Sequence, residues 1–152
     1  MSPPAAAPAT GTAPTAEVLH ASCISLADRA ALILGPSGSG KSALALMLVS
    51  LGARLVADDR TELRREGPRL VAGAPAGLPA MIEARGIGLL DCPLAPACAV
   101  GLAVDLGQAE TYRLPPRRRL TLLGLDVALV HGPLKPHFPA AILHYLRHGR
   151  RE

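Results

Sequence analysis

Aromatic side chains are almost missing from this 152-residue chain: it has no Trp, and Tyr112, Phe138 and Tyr145 are its only aromatics. Recognition of single-stranded nucleic acid by base stacking needs aromatic platforms, so nucleic acid is not an expected partner. The net charge of +4 is too small and too scattered to reverse that expectation. Cysteine is also scarce. Cys23, Cys92 and Cys98 are an odd number without metal-ligand spacing, which argues against a disulfide framework and for a reducing, cytoplasmic compartment. No apolar run approaches the roughly 20 residues of a membrane span. The N-terminus lacks the basic segment and apolar stretch of a signal peptide, so no membrane association is expected. With 49% hydrophobic residues and so few aromatics, the core must be built from Leu, Val, Ile and Ala, in a chain long enough for one domain.

Lysine is the most informative scarcity. Of 16 basic residues only Lys41 and Lys135 are lysines. Lys41 closes the octapeptide Gly35-Pro36-Ser37-Gly38-Ser39-Gly40-Lys41-Ser42, a complete G-x-x-x-x-G-K-[ST] Walker A motif. A chain that otherwise favours Arg keeps a compact ammonium here, which a guanidinium fork replaces poorly. The apolar run Ala30–Leu34 before the motif reads as a buried strand, and Ala43–Val49 after it as a helix. That context suits a loop whose backbone N–H groups cradle phosphate oxygens, with the positive end of a helix behind them. Lys41 would meet the terminal phosphates, and the Ser42 hydroxyl would meet Mg²⁺.

Along the chain, residues 2–16 are rich in Pro, Ala and Thr and read as a disordered tail. Glu17–Leu26 reads as one strand with a hairpin into the Walker strand, and the helix after the motif should stop at Gly52. Ala53–Asp59 is a short strand ending in two carboxylates, and residues 60–73 form a hairpin turning at Gly67-Pro68. Residues 74–79 are loop, residues 81–91 are strand-like pieces around two glycines, and Ala97–Leu106 is a strand. The Pro- and Arg-rich segment Glu110–Arg119 shows no apolar periodicity and should be mobile without ligand. Leu120–Val130 is a strand or strand pair broken at Gly124, and Pro139–His148 is a helix. The fold class is therefore α/β: a P-loop nucleotide-binding domain around a strand-rich mixed sheet.

Asp58 and Asp59 are the second chemical signal. A P-loop enzyme needs a carboxylate for Mg²⁺ and, as a phosphotransferase, a base for the acceptor hydroxyl. Adjacent strand residues point in opposite directions and could divide these roles. Alternatively, one is functional and the other a turn residue. His20 lies one hairpin before the Walker loop; spacing alone favours a partly buried strand histidine. Glu83 and Arg85 share a strand face, as an ion pair or as metal and phosphate partners, and spacing alone favours the ion pair. Arg117–Arg119 is a patch for phosphate or an acidic protein, or simply a solvated face. His144 and His148 are four apart on a helix, but no third ligand accompanies them.

In combination, Leu19-His20-Ala21-Ser22, Gly35–Ser42, Gly52–Asp59 and Ile82-Glu83-Ala84-Arg85-Gly86-Ile87-Gly88 resemble the catalytic domain of the HPr kinase/phosphorylase family over roughly residues 17–135. The resemblance implies an HPr kinase C-terminal-like fold over residues 17–149, with ATP and Mg²⁺ as cofactors. It implies an ATP-dependent kinase acting on a serine of the phosphocarrier protein HPr, able to remove that phosphate by phosphorolysis. Asp58 would be the base toward the serine, with Asp59 beside it near the metal. Ser42 and Glu83 would support Mg²⁺, and His20 would lie by the phosphate. Arg113 would match an arginine of a mobile loop over the transferring group. A homo-oligomer, a hexamer of catalytic domains, is also implied. The chain departs from the family pattern in carrying Ala43 where many members have an acidic residue. It also shows neither the N-terminal domain nor the long C-terminus of larger members, which suggests a compact, domain-only form. Two other functions stay open: a P-loop kinase of a small metabolite, and a nucleotide-binding regulatory module with little catalysis.

Overall fold

The computed structural model describes residues 15–132 and 135–152. Its elements in chain order are β1 (Ala16–Leu19), β2 (Ser22–Leu26), β3 (Arg29–Leu34), α1 (Lys41–Ser50), β4 (Arg54–Ala57), β5 (Thr61–Glu66) and β6 (Arg69–Gly73). There follow β7 (Met81–Ala84), β8 (Gly88–Asp91), β9 (Cys98–Ala109), β10 (Arg118–Leu122), β11 (Leu125–Gly132) and α2 (Phe138–His148). Among the described residues, nine strands join one mixed sheet in the order β1-β5-β6-β9-β3-β2-β4, with β11 on β9 and β10 beyond it; β7 and β8 pair separately. The expected strand-rich mixed sheet is what the chain forms.

The 12-residue β9 organises the sheet. It starts antiparallel to β6 through Cys98 and Ala99, then runs parallel to both β3 and β11. A strand covered on both faces must be apolar on both, and β3, parallel to β9 and antiparallel to β2, obeys this rule. Ala31 and Ile33 join the core under the helices, with Leu44, Leu48, Ile142 and Leu146. Ala30 and Leu32 join a second core on the opposite face, with Leu63, Leu70 and Val127. The apolar face of α1 therefore docks next to the strand that feeds it, which fixes the intervening loop.

Turn chemistry behaves as read at Gly67 (φ 63), and at Leu123-Gly124 (φ 49 and 79) between β10 and β11. The β2–β3 hairpin closes through Ala27 and Asp28, both at positive φ (53 and 62) without glycine. Four readings need correction. Glu17–Leu26 is two strands rather than one: β1 pairs with β5, whereas β2 pairs with β3 and β4, so the chain changes partners at His20-Ala21. Strand pairing begins at Ala16 opposite Arg64, inside the stretch read as tail, and Thr15 O accepts from Arg65 N at 2.8 Å; residues 2–14 of that reading lie outside the described residues. β9 runs on to Ala109, because β11 offers it an edge there. The strand read from Leu120 starts at Arg118, which opens β10 opposite Leu129.

Candidate functional site

The loop Gly35–Gly40 links the end of β3 to the start of α1. Gly38 and Gly40 take left-handed φ of 82 and 99, and Gly35 has φ 148. A Cβ on Gly35 would lie 2.5 Å from Ser39 Oγ, so only glycine lets the loop close there. Gly40 is the N-cap of α1 without a side-chain cap bond, which leaves the first-turn amides without a side-chain acceptor. Lys41 is buried and folds back along the loop, donating to Gly35 O at 2.7 Å and Pro36 O at 3.1 Å. Ser39 Oγ is buried with no hydrogen-bond partner among the described residues. First-turn amides without a side-chain acceptor and an ammonium that bonds carbonyls of its own loop form a donor set that an anion can engage. That set fits a phosphate chain.

A second segment meets this loop. β2 pairs with β4 through Cys23 and Ala57, which sets His20-Ala21-Ser22 alongside Asp58-Asp59. Three contacts join them. Ser22 Oγ donates to Asp58 Oδ1 at 2.7 Å, Ala21 N to Asp59 O at 3.1 Å, and His20 Nε2 lies 2.8 Å from Asp59 Oδ1. Thr61 Oγ1 adds a bond to Ala21 O at 2.9 Å. Between the aspartates the chain turns sharply. Arg60 N–H bonds Asp58 O at 2.8 Å around Asp59 at φ 69, a three-residue turn of a rare and strained kind. The turn sends the carboxylates apart. Asp58 is 7% exposed, whereas the side chains of His20 and Asp59 are 52% and 69% exposed.

Asp58 links the two segments. Its Oδ1 also accepts from Ser42 Oγ at 2.7 Å, and its Oδ2 from the backbone N–H of Glu83 at 3.1 Å. Ser22, Ser42 and Glu83 all line a cavity of about 350 Å³, so Asp58 sits directly behind its wall. The loop contributes Ser37, Gly38, Gly40 and Lys41 to the same cavity; His20, Asp59 and Arg85 complete its polar rim. Ala43 lines it too, at the position where the sequence departs from the family pattern. No cluster of three His, Cys, Asp or Glu side chains suited to a metal occurs among the described residues. The hydroxyl of Ser42 and the carboxylates of Glu83 and Asp59 nevertheless suit Mg²⁺, which takes one or two protein oxygens and completes its shell with water and phosphate.

The model of the HPr serine kinase C-terminal domain family matches residues 12–95, the stretch that holds every one of these cavity residues. The chain belongs to this family. The HPr kinase/phosphorylase of Bordetella pertussis is 48% identical over 80 residues, covering 52% of this chain and 26% of that protein. The enzyme of the same name from Peptoclostridium acidaminophilum is 45% identical over 76 residues, covering 49% and 25%. The matched chain thus spans about a quarter of the length of these curated relatives. The solved structure of the Hpr(Ser) kinase/phosphatase from Coxiella burnetii superimposes with a TM-score of 0.72 at 26% identity, covering 86% of this chain and 88% of that one. The HPr kinase C-terminal-like fold follows from both comparisons.

The structure brings together His20, Lys41, Ser42, Asp58, Asp59, Glu83 and Arg85. Glu83 and Arg85 face one cavity without pairing to each other within salt-bridge distance. Arg113 is not among the cavity residues; it is exposed between β9 and β10. The segment carrying it is tied at both ends. Glu110 accepts from Arg118 at 3.0 and 3.1 Å and from the amides of Thr111 and Tyr112. That arginine holds the Glu110 carboxyl below its ordinary range. Arg117 donates to Arg150 O and Arg151 O, and Arg150 returns a bond to Pro115 O. The segment is therefore fastened at its base, with Tyr112, Arg113 and Leu114 left exposed at its tip. The rings of His144 and His148 lie with centroids 4.6 Å apart, tilted by 50°, and no third ligand joins them among the described residues. Sequence reasoning missed Ser22. Its one signal is a hydroxyl inside the apolar run of β2, where it is fully buried.

Proposed function

We propose that residues 17–149 form a P-loop catalytic unit that transfers the γ-phosphoryl group of ATP to a serine of HPr, and that can reverse the transfer by phosphorolysis. The observation that carries this reading is the Lys41–Ser42–Asp58 arrangement: a loop whose lysine bonds carbonyls of the loop itself and whose serine donates directly to a buried carboxylate. The names of the relatives support HPr as the acceptor. The loop amides and Lys41 Nζ bind the β- and γ-phosphates; Lys41 leaves the carbonyls of Gly35 and Pro36 to do so. Ser42, Glu83 and Asp59 would hold Mg²⁺, which when bound offsets charge on the phosphates. The serine oxygen of HPr bonds to phosphorus as the β–γ bridging bond breaks. Its proton passes to Asp58, and ADP leaves. In phosphorolysis an oxygen of inorganic phosphate bonds to the phosphorus of phosphoserine as the serine O–P bond breaks; Asp58 takes the proton of the attacking phosphate and returns it to the serine oxygen, and pyrophosphate leaves. His20 and Arg85 stand at the cavity rim to orient the transferred group. Arg113 joins them when the tip of its segment swings over the cavity.

The same reading makes the protein a cytoplasmic homo-oligomer, a hexamer by family likeness. Its three free cysteines, Cys23, Cys92 and Cys98, suit a reducing compartment. No helix among the described residues is long and apolar enough to cross a membrane. The test is incubation with labelled ATP, Mg²⁺ and purified HPr, followed by mass spectrometry of HPr. A single phosphoserine that disappears with Asp58→Asn is expected. Unmodified HPr beside a phosphorylated small hydroxyl compound would overturn the assignment.

A further inference from the structure

We propose that Ser22 is a positioning residue for Asp58: with Ser42 it saturates one carboxylate oxygen, Oδ1, and leaves Oδ2 as the oxygen that works. The proposal rests on the reading of Asp58 as the base of a phosphotransferase. A carboxylate oxygen offers about two acceptor sites in its plane. Oδ1 has both filled, by the hydroxyls of Ser22 and Ser42, each at 2.7 Å. Oδ2 accepts one N–H, from Glu83, and has no second hydrogen-bond partner among the described residues. The χ2 torsion of an aspartate is soft, so its plane must be held from outside. Donors on both oxygens hold it here.

The three donors are not equivalent. Glu83 N–H is a backbone group whose direction is set by the β7–β8 hairpin. Ser42 stands at the first turn of α1, and its oxygen is also the one offered to the metal. Ser22 is fully buried on β2 and its hydroxyl donates nowhere else among the described residues. Of the two hydroxyls on Oδ1, only that of Ser22 serves Asp58 alone. It keeps the carboxylate plane fixed while Ser42 answers to the phosphate end of the site.

The experiment compares Ser22→Ala, Ser22→Cys and Ser22→Thr in the full chain. Turnover of HPr phosphorylation, nucleotide Kd and hydrogen exchange at the Glu83 amide in the ligand-free protein are measured for each. Ser22→Ala should lower kcat about tenfold, the size expected for one bond to a charged group, with Kd within about twofold. Glu83 N–H should exchange about tenfold faster, because its acceptor is no longer held still. Ser22→Cys conserves volume but donates weakly and should behave like Ser22→Ala. Ser22→Thr keeps the hydroxyl and should restore both readouts. Unchanged kcat and unchanged Glu83 exchange in Ser22→Ala overturn the proposal, as does restoration by Cys rather than Thr. If the wild type transfers no phosphate yet Glu83 exchange responds as stated, the functional reading fails while the hold of Ser22 on Asp58 stands.

Discussion

Replacing Asp58 by Asn separates catalysis from folding in a way the geometry makes quantitative. The carboxylate accepts three bonds, from Ser22, Ser42 and the Glu83 amide. A bond to a charged group is worth about 1.5–3 kcal/mol and a neutral one about 0.5–1.5, so neutralisation weakens three bonds by about 3–5 kcal/mol in total. The 7% exposure of Asp58 offsets this loss. Burying a charge costs several kcal/mol, which the amide does not incur. The amide also fits the network. Its oxygen must face the Glu83 N–H, which cannot turn, and its NH₂ then faces two hydroxyls that can rotate to accept. Net stability should move by no more than about 2 kcal/mol, a shift of roughly 4–8 °C in Tm. Transfer to HPr should fall about 10²–10⁴-fold, as for a lost general base. The assays are thermal melting, nucleotide titration and single-turnover transfer with labelled ATP. A folded Asp58→Asn protein within tenfold of wild-type transfer would refute the role, above all if Asp59→Asn proved the more damaging change.

Lys41→Ala should leave the melting curve close to wild type, since its two bonds are to carbonyls of the loop it would leave on binding, while nucleotide affinity falls at least about tenfold by calorimetry. Ile87 and Leu89, 79% and 67% exposed on the hairpin that carries Glu83, should contact a protein acceptor; Ile87→Ser with Leu89→Ser should raise the KM for HPr and spare nucleotide affinity in steady-state assays. Glu110 has a depressed carboxyl because Arg118 bonds it, so its contribution to stability is present above the unfolded pKa and lost as pH falls through the folded one. The melting difference between wild type and Glu110→Gln should accordingly be seen at neutral pH and close on acidification. Burial pushes the Cys23 thiol far up, so in native protein an alkylating reagent should modify the half-buried Cys98 before Cys23, as read by peptide mass spectrometry.

Local chemistry made much of this fold legible. A continuous apolar run before Gly35 and strong helix formers after Lys41 could only be a buried strand and a docked helix, and they are β3 and α1. Gly67-Pro68 and Gly124 mark the hairpins they were read to mark, because a turn at positive φ is written in one or two residues. What stayed hidden depends on partners far away in sequence. Nothing between Glu17 and Leu26 signals a break, since the corner at His20-Ala21 exists only because β5 takes one half and β3 and β4 take the other. The extension of β9 to Ala109 and the recruitment of Arg118 into β10 have the same origin.

The cavity shows a similar division, with a chemical reason behind it. Charged and glycine-rich features announce themselves because they are costly to bury or strained to make; Lys41, Asp58, Asp59 and Gly35–Gly40 could all be picked out. The groups that hold them look ordinary. Ser22 and the amide of Glu83 have no compositional signature, yet without them a carboxylate 7% exposed would keep Ser42 as its single hydrogen-bond partner among the described residues. The turn at Asp59 carries the argument one step further. A φ of 69 at a non-glycine residue is unfavourable by itself, and the bonds to Ala21 and His20 that surround it supply the compensation. Two neighbours in sequence thus meet different surroundings: Asp58 is held by Ser22, Ser42 and the Glu83 amide, and Asp59 lines the cavity beside His20.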